Sequence, residues 1–161
     1  MATYAFRPLA ENDLPLIERW LAVPHVAQWW DDGRQQLADI RSHIDDPAVE
    51  PFIVNAESQP IGYIHSYDPH AWPDHPYNDF PDGTRGIDQF IGEAEMTGKG
   101  HGTALTRAFV DRLFKSGAGC IVTDPDPANV RAVRVYEKAG FTAERTADTA
   151  WGHVLLMVCR A

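Results

Sequence analysis

The sequence predicts a mixed α/β domain. Three observations carry that expectation: short apolar runs that read as strands, longer segments whose apolar residues recur at helical spacing, and an element order in which strands and helices alternate only in the second half. At 161 residues the chain has the size of one domain, expected to span residues 1–161, and is large enough to bury a core without staples. Its composition, 44% hydrophobic and 23% charged, is that of a globular chain and excludes a disordered one.

Thr3 to Leu9 alternates as the first strand, with Tyr4, Phe6 and Pro8 on one side and Thr3, Ala5 and Arg7 on the other. Asn12 or Asp13 caps a helix whose residues Leu14, Ile17, Trp20 and Leu21 share a face, and Pro24 interrupts it. His25 to Trp30 forms a second helical turn. Arg34 to Ile44 is a third helical stretch, with Leu37, Ile40 and Ile44 on one face, stopped by Asp46-Pro47. Pro51 to Ala56 and Pro60 to Tyr67 read as a hairpin closed by a short Glu-Ser-Gln turn. From Asp68 to Arg85 the chain is rich in proline, aspartate and aromatic residues and has no period; a loop of that length inside a domain points to function.

Gly86 to Ile91 returns to strand, and a glycine-rich turn runs on to Gly102. A helix follows from Thr103 to Lys115 on Leu105, Phe109 and Leu113, closed by Gly117 and Gly119. Cys120 to Thr123 is a short strand, Ala128 to Ala139 a helix stopped at Gly140, and Phe141 to Thr146 with Trp151 to Cys159 a final pair of strands. There is no internal repeat.

Lys and Arg number 14 against 23 Asp and Glu, a formal charge of −9. That balance argues against nucleic acid, whose phosphates need a basic surface, and favours a cationic small molecule; a charge of this size also serves solubility alone. No apolar run reaches the length of a membrane span, and Met1 to Arg7 lacks the layout of a signal peptide, so a cytoplasmic protein with no membrane partner is expected. Cys120 and Cys159 lie in apolar runs without metal-ligand spacing, and each reads as a buried, reduced thiol. No metal is expected.

Two segments carry chemistry. Thr97-Gly98-Lys99-Gly100-His101-Gly102-Thr103 follows a strand and opens a helix; its glycines let the main chain approach a ligand, and the free amides of a helix start attract an anion. It fits neither a P-loop, since Thr103 and Ala104 follow Gly102, nor a dinucleotide fingerprint, whose third glycine falls later. In the second segment, Asn129 to Phe141, Tyr136 lies two helical turns after Asn129 and Gly140-Phe141 ends the helix. Taken alone, Tyr136 reads as a half-buried helix tyrosine.

Together, a Gly-x-Gly-x-Gly turn followed by Asn-x-x-Ala-x-x-x-Tyr-x-x-x-Gly-Phe resembles the GNAT superfamily of acyl-CoA N-acyltransferases over the whole chain. The resemblance implies a mixed central sheet of about seven strands, splayed at the cofactor site and flanked by helices. It implies acetyl-CoA as cosubstrate, with its pyrophosphate on Gly98, Lys99, Gly100, His101, Gly102 and Thr103 and its pantetheine along the strand ending near Ile91. Asn129 would bond the pantetheine, and Tyr136 would protonate the departing thiolate. The Arg or Gln usual at the head of the glycine motif is Thr97 here.

Three further stretches, His25 to Trp30, Arg85 to Gln89 and Thr123 to Asn129, resemble segments of the aminoglycoside 6′-N-acetyltransferases. A branch that acylates hydroxylysine is similar but typically carries histidine where Asp88 stands. The implied acceptor is therefore the 6′-amine of an aminoglycoside, in a protein of the antibiotic-resistance type.

A polycationic acceptor needs carboxylates around a wet cleft. Asp88 and Asp124, expected to end adjacent strands where the sheet splays, are the foremost candidates. Asp148 in the last hairpin and Asp74, Asp79 and Asp82 of the long loop are further ones, and Trp29 and Trp30 are candidate walls for sugar faces. The expected reaction is direct transfer in a ternary complex: a strand amide polarises the thioester carbonyl, Tyr136 protonates the sulfur, and Asp88 orients the amine and draws off its proton through water. His25 is expected to be structural, and His101 to face solvent beside the pyrophosphate. A monomer or homodimer is expected. Two alternatives stay open, a siderophore-type or small-metabolite N-acyltransferase and a non-catalytic acyl-CoA binding module.

Overall fold

The computed structural model describes residues 2–161. Its seven strands form a mixed sheet in the order β1-β2-β3-β4-β5-β7-β6, flanked by five α-helices among the described residues. The strands are β1 (Tyr4–Pro8), β2 (Val49–Ala56), β3 (Gln59–Tyr67), β4 (Thr84–Ile91), β5 (Cys120–Thr123), β6 (Thr142–Thr149) and β7 (Gly152–Arg160). The helices are α1 (Leu14–Leu21), α2 (Pro24–Ala27), α3 (Gly33–His43), α4 (His101–Lys115) and α5 (Val130–Lys138). The strand content and order match expectation, with boundaries moved by a few residues. No helix among the described residues is long and apolar enough to cross a membrane.

The chain divides into two compact units. The first runs to Ser66 and includes Gln89–His101. In it β1 pairs antiparallel with β2, Tyr4 opposite Ala56, and β2 turns into β3 through Glu57 and Ser58, both at positive φ as a two-residue hairpin requires. The apolar faces of α1 and α3 meet Ile53, Tyr63 and Phe90 in a core that includes Ile17, Trp20, Leu21 and Ile40. The sequence places a helix cap at Asn12 or Asp13. Asp13 instead accepts from the Ala10 amide ahead of a short 3-10 turn and receives both Arg7 guanidinium nitrogens at 2.9 Å, which holds its carboxyl below the usual range.

The second unit contains Tyr67–Asp88 and Gly102–Ala161. β5 pairs parallel with β4, Thr84 opposite Cys120 and Gly86 opposite Val122, and antiparallel with β7. Its core joins Val122, Val154, Leu156 and Val158 to Tyr77, which comes from the long loop. That loop has little regular structure but is firmly anchored: Tyr77 is fully buried, and its hydroxyl lies 2.9 Å from the Thr123 carbonyl and 3.1 Å from that of Met157. Cys120 and Cys159 are buried and form no disulfide, and burial pushes both thiols up.

Candidate active site

The parallel pairing of β4 with β5 decides where the acidic residues fall. Its last paired residues are Gly86 and Val122, and just past them the Thr123 hydroxyl donates to the Ile87 carbonyl at 2.9 Å. Asp88 and Asp124 follow immediately, one on each strand. Asp88 is thus inside β4 rather than at its end, while Asp124 is the first residue beyond β5. Burial, reinforced by the Asp88 charge, holds the Asp124 carboxyl well above the usual carboxylate range, against the opposing hydrogen bond from the Trp151 indole.

Aromatic side chains surround this pair. The Trp151 indole N–H donates to Asp124 Oδ2 at 3.0 Å, and its ring lies 5.3 Å from that of His75. His75 is buried and stacks on Tyr77. Its Nδ1 lies 3.1 Å from the Tyr77 amide, which can only donate, so a neutral ring carries its proton on Nε2 and donates it to the Tyr67 hydroxyl at 3.1 Å. Burial lowers the His75 pKa, with Asp88 opposing, so the neutral form prevails at pH 7. Tyr67 is buried against Trp72, and burial followed by the charges of Asp124 and Asp88 pushes its phenol well up. Two carboxylates bordered by aromatic faces and neutral hydrogen-bonding groups are chemically suited to an organic cation.

The glycine-rich turn carries the opposite preference. Gly98 and Gly100 have φ of 71° and 85°, values that glycine adopts without strain, and α4 begins at His101, two residues earlier than expected. The first turn of such a helix presents main-chain N–H groups without intrahelical partners, suited to a phosphate oxygen. Asn129 caps α5, its Oδ1 accepting from the Ala132 amide, which orients the carboxamide with its NH2 still able to donate. Tyr136, in the same helix, is buried with its ring edge-on to Phe141.

A family model for the acetyltransferase (GNAT) domain matches residues 10–149. This chain belongs to the GNAT acetyltransferase family. The acetyltransferase is 39% identical to aminoglycoside N(6′)-acetyltransferase type 1 of Klebsiella pneumoniae, across 94% of this chain and 80% of that one. Among solved structures it superimposes on AAC(6′)-Ib in complex with paromomycin and acetyl-CoA with a TM-score of 0.89 and 37% identity, covering 98% of this chain and 93% of that one. The complex of AAC(6′)-Ib with coenzyme A and kanamycin gives 0.86 and 35%, covering 98% and 95%.

Within the acetyltransferase, the residues singled out from sequence fare differently. Asp88 and Asp124 come together. Asp148 does not join them: it is exposed and pairs with His153 at 2.6 Å. Asp79 and Asp82 line a pocket with Thr84, Cys120 and Arg160, at the opposite end of β4 and β5, and Asp74 is exposed. Trp30 packs edge-on against Phe90 and Tyr63 in the first unit's core, and Trp29 is 36% exposed. His101 is not simply solvent-facing, because its Nδ1 lies 2.6 Å from the Tyr4 hydroxyl. The His25 Nε2 bonds at 2.8 Å to the carbonyl of Ile91, the last residue of β4.

Sequence reasoning missed Tyr67, His75, Tyr77 and Trp151. The long loop reads as functional from sequence, but nothing local distinguishes its buried aromatic residues from its exposed ones. Trp151 read as the first residue of the last strand, whereas it sits in the turn before Gly152.

Proposed function

We propose that this acetyltransferase moves the acetyl group of acetyl-CoA to the 6′-amine of aminoglycosides. The observation that carries the reading is the Asp88–Asp124 pair with its aromatic border. The Asp88 charge adds to the cost of ionising Asp124, and a bound ammonium relieves that cost, so the site favours a cationic acceptor. An acceptor bearing its own carboxylate, such as hydroxylysine, would meet repulsion there.

Acetyl-CoA supplies the activated thioester. On this reading the amides of Gly98, Lys99, Gly100, His101, Gly102 and Thr103 receive its pyrophosphate, Asn129 donates its amide to the pantetheine, and the β4 main chain up to Ile91 lies along it. The Asp88–Asp124 pair orients the acceptor amine and takes up its proton, acting as a unit because the two charges are coupled. Tyr136 returns a proton to the coenzyme A sulfur as it departs.

The test is acetylation of kanamycin with acetyl-CoA, followed by thiol release, with the modified nitrogen located by NMR of the product. Transfer to the 6′-amine that falls at least tenfold in Asp88→Asn, with acetyl-CoA affinity unchanged, is the expected outcome. Transfer to hydroxylysine alone, or binding of acetyl-CoA without transfer to any amine, overturns the proposal.

A further inference from the structure

Trp151 is the one large aromatic side chain on the turn joining β6 to β7, and it is 54% exposed although it makes two specific contacts. The turn is built to project it. Thr149 Oγ1 donates to the Gly152 carbonyl at 2.7 Å and accepts from the Trp151 amide at 3.3 Å, and Gly152 has a φ of 132°, in the region glycine favours. The indole N–H therefore reaches Asp124 Oδ2 at 3.0 Å while one face of the ring leans on His75, with ring planes 36° apart. The rest of the indole stays open to solvent beside a carboxylate.

A carboxylate bonded to an indole N–H and to its own main-chain amide is fixed in orientation, and its two oxygens together can still accept from a bound ammonium. A flat aromatic face next to it is complementary to a rigid ring that bears an ammonium group, because C–H faces and cationic substituents both favour the face of an indole. A flexible linear polyamine presents charge but no such ring. We infer that Trp151 is a positioning and specificity-determining residue, holding the Asp124 carboxylate through its N–H and selecting ring-borne amines over linear ones through its face. This inference rests on the aminoglycoside reading and deepens it.

The titratable groups that act on Asp124 or feel its charge are Asp88 from β4, Tyr67 from the end of β3 and Tyr77 from the long loop, while His75 feels the charge of Asp88. Of these only Asp88 acts on Asp124 as a charge that raises its pKa. Removing the indole N–H withdraws a bond that favours the ionised form of Asp124, so the acidic limb of the kcat/KM profile should move to higher pH.

The experiment compares wild type, Trp151→Phe and Trp151→Ala with kanamycin and with spermidine as acceptors, measuring kcat/KM across pH. Trp151→Phe keeps a ring and loses the donor, and is expected to shift the acidic limb upward while KM for kanamycin stays within about twofold. Trp151→Ala loses both, and is expected to show the same limb shift together with a rise of about tenfold in KM for kanamycin and no comparable rise for spermidine. Profiles and constants in both variants that superimpose on wild type overturn the inference, as does an equal loss toward the two acceptors. The underlying reading fails differently: wild type itself then transfers acetyl to no ring-borne amine, and the inference falls with it.

Discussion

Gly86 is the position at which a single methyl group should damage the site most directly. A Cβ built there would lie 2.1 Å from Tyr67 Cζ and 2.5 Å from both Cε atoms. Ordinary carbon contacts are about 3.5 Å, so in Gly86→Ala the ring must retreat by more than about 1 Å. It has nowhere easy to go, being buried, edge-on to Trp72 at 5.6 Å and against His75 at 5.3 Å. Overpacking of this kind costs about 1–3 kcal/mol, which for a domain of this size lowers Tm by roughly 2–12 °C. The same retreat breaks the 3.1 Å bond between Tyr67 and His75 and displaces the border of the carboxylate pair. A misplacement near 1 Å is expected to lower kcat/KM for kanamycin by about tenfold to a hundredfold. Differential scanning calorimetry and steady-state kinetics read the two effects. Trimming the ring supplies the control: in a Tyr67→Ala background, adding Gly86→Ala should cost less than it does alone. An unchanged Tm and kcat/KM in Gly86→Ala, or strict additivity in the double variant, would refute the reasoning.

Asp124→Asn should lose most transfer activity and yet be more stable than wild type at pH 7. A carboxyl whose folded pKa is raised contributes stability that is full below its unfolded value and lost as pH rises through the folded one, so the thermal advantage of the variant should close on acidification toward pH 4; equal Tm values at pH 7 would contradict this. Tyr136→Phe should lower kcat more than it alters KM for acetyl-CoA, and a normal kcat would mean that the sulfur obtains its proton elsewhere. Tyr77→Phe leaves two buried carbonyls without its hydroxyl and should cost about 1–3 kcal/mol by denaturant unfolding; a loss below a few tenths would show the hydroxyl to be dispensable.

Local signals explain most of what the sequence revealed. Period and punctuation marked the elements, because Leu105, Phe109 and Leu113 must share a helix face and Gly140 must close α5 wherever the rest of the chain goes. The turn at Gly98 and Gly100 was equally legible, since positive φ is written in the glycines themselves. The Asn129–Tyr136 segment was legible as a motif, although the capping bond of Asn129 was not.

The acidic residues behave otherwise. Asp74, Asp79, Asp82, Asp88, Asp124 and Asp148 are alike in local chemistry; expected positions on adjacent strands put Asp88 and Asp124 first, but no pattern of neighbours shows that their carboxylates meet. Sequence alone determined the element types, the glycine-rich turn, the family and an acidic balance. Only the tertiary structure decided which carboxylates pair, because that depends on register: with Gly86 opposite Val122, Asp88 and Asp124 leave the ladder together, while Thr84 opposite Cys120 puts Asp79 and Asp82 at the other end of the strands. It also decided the role of Trp151, because a turn residue's reach is set by where the hairpin lies, and this one ends on the Asp124 carboxylate.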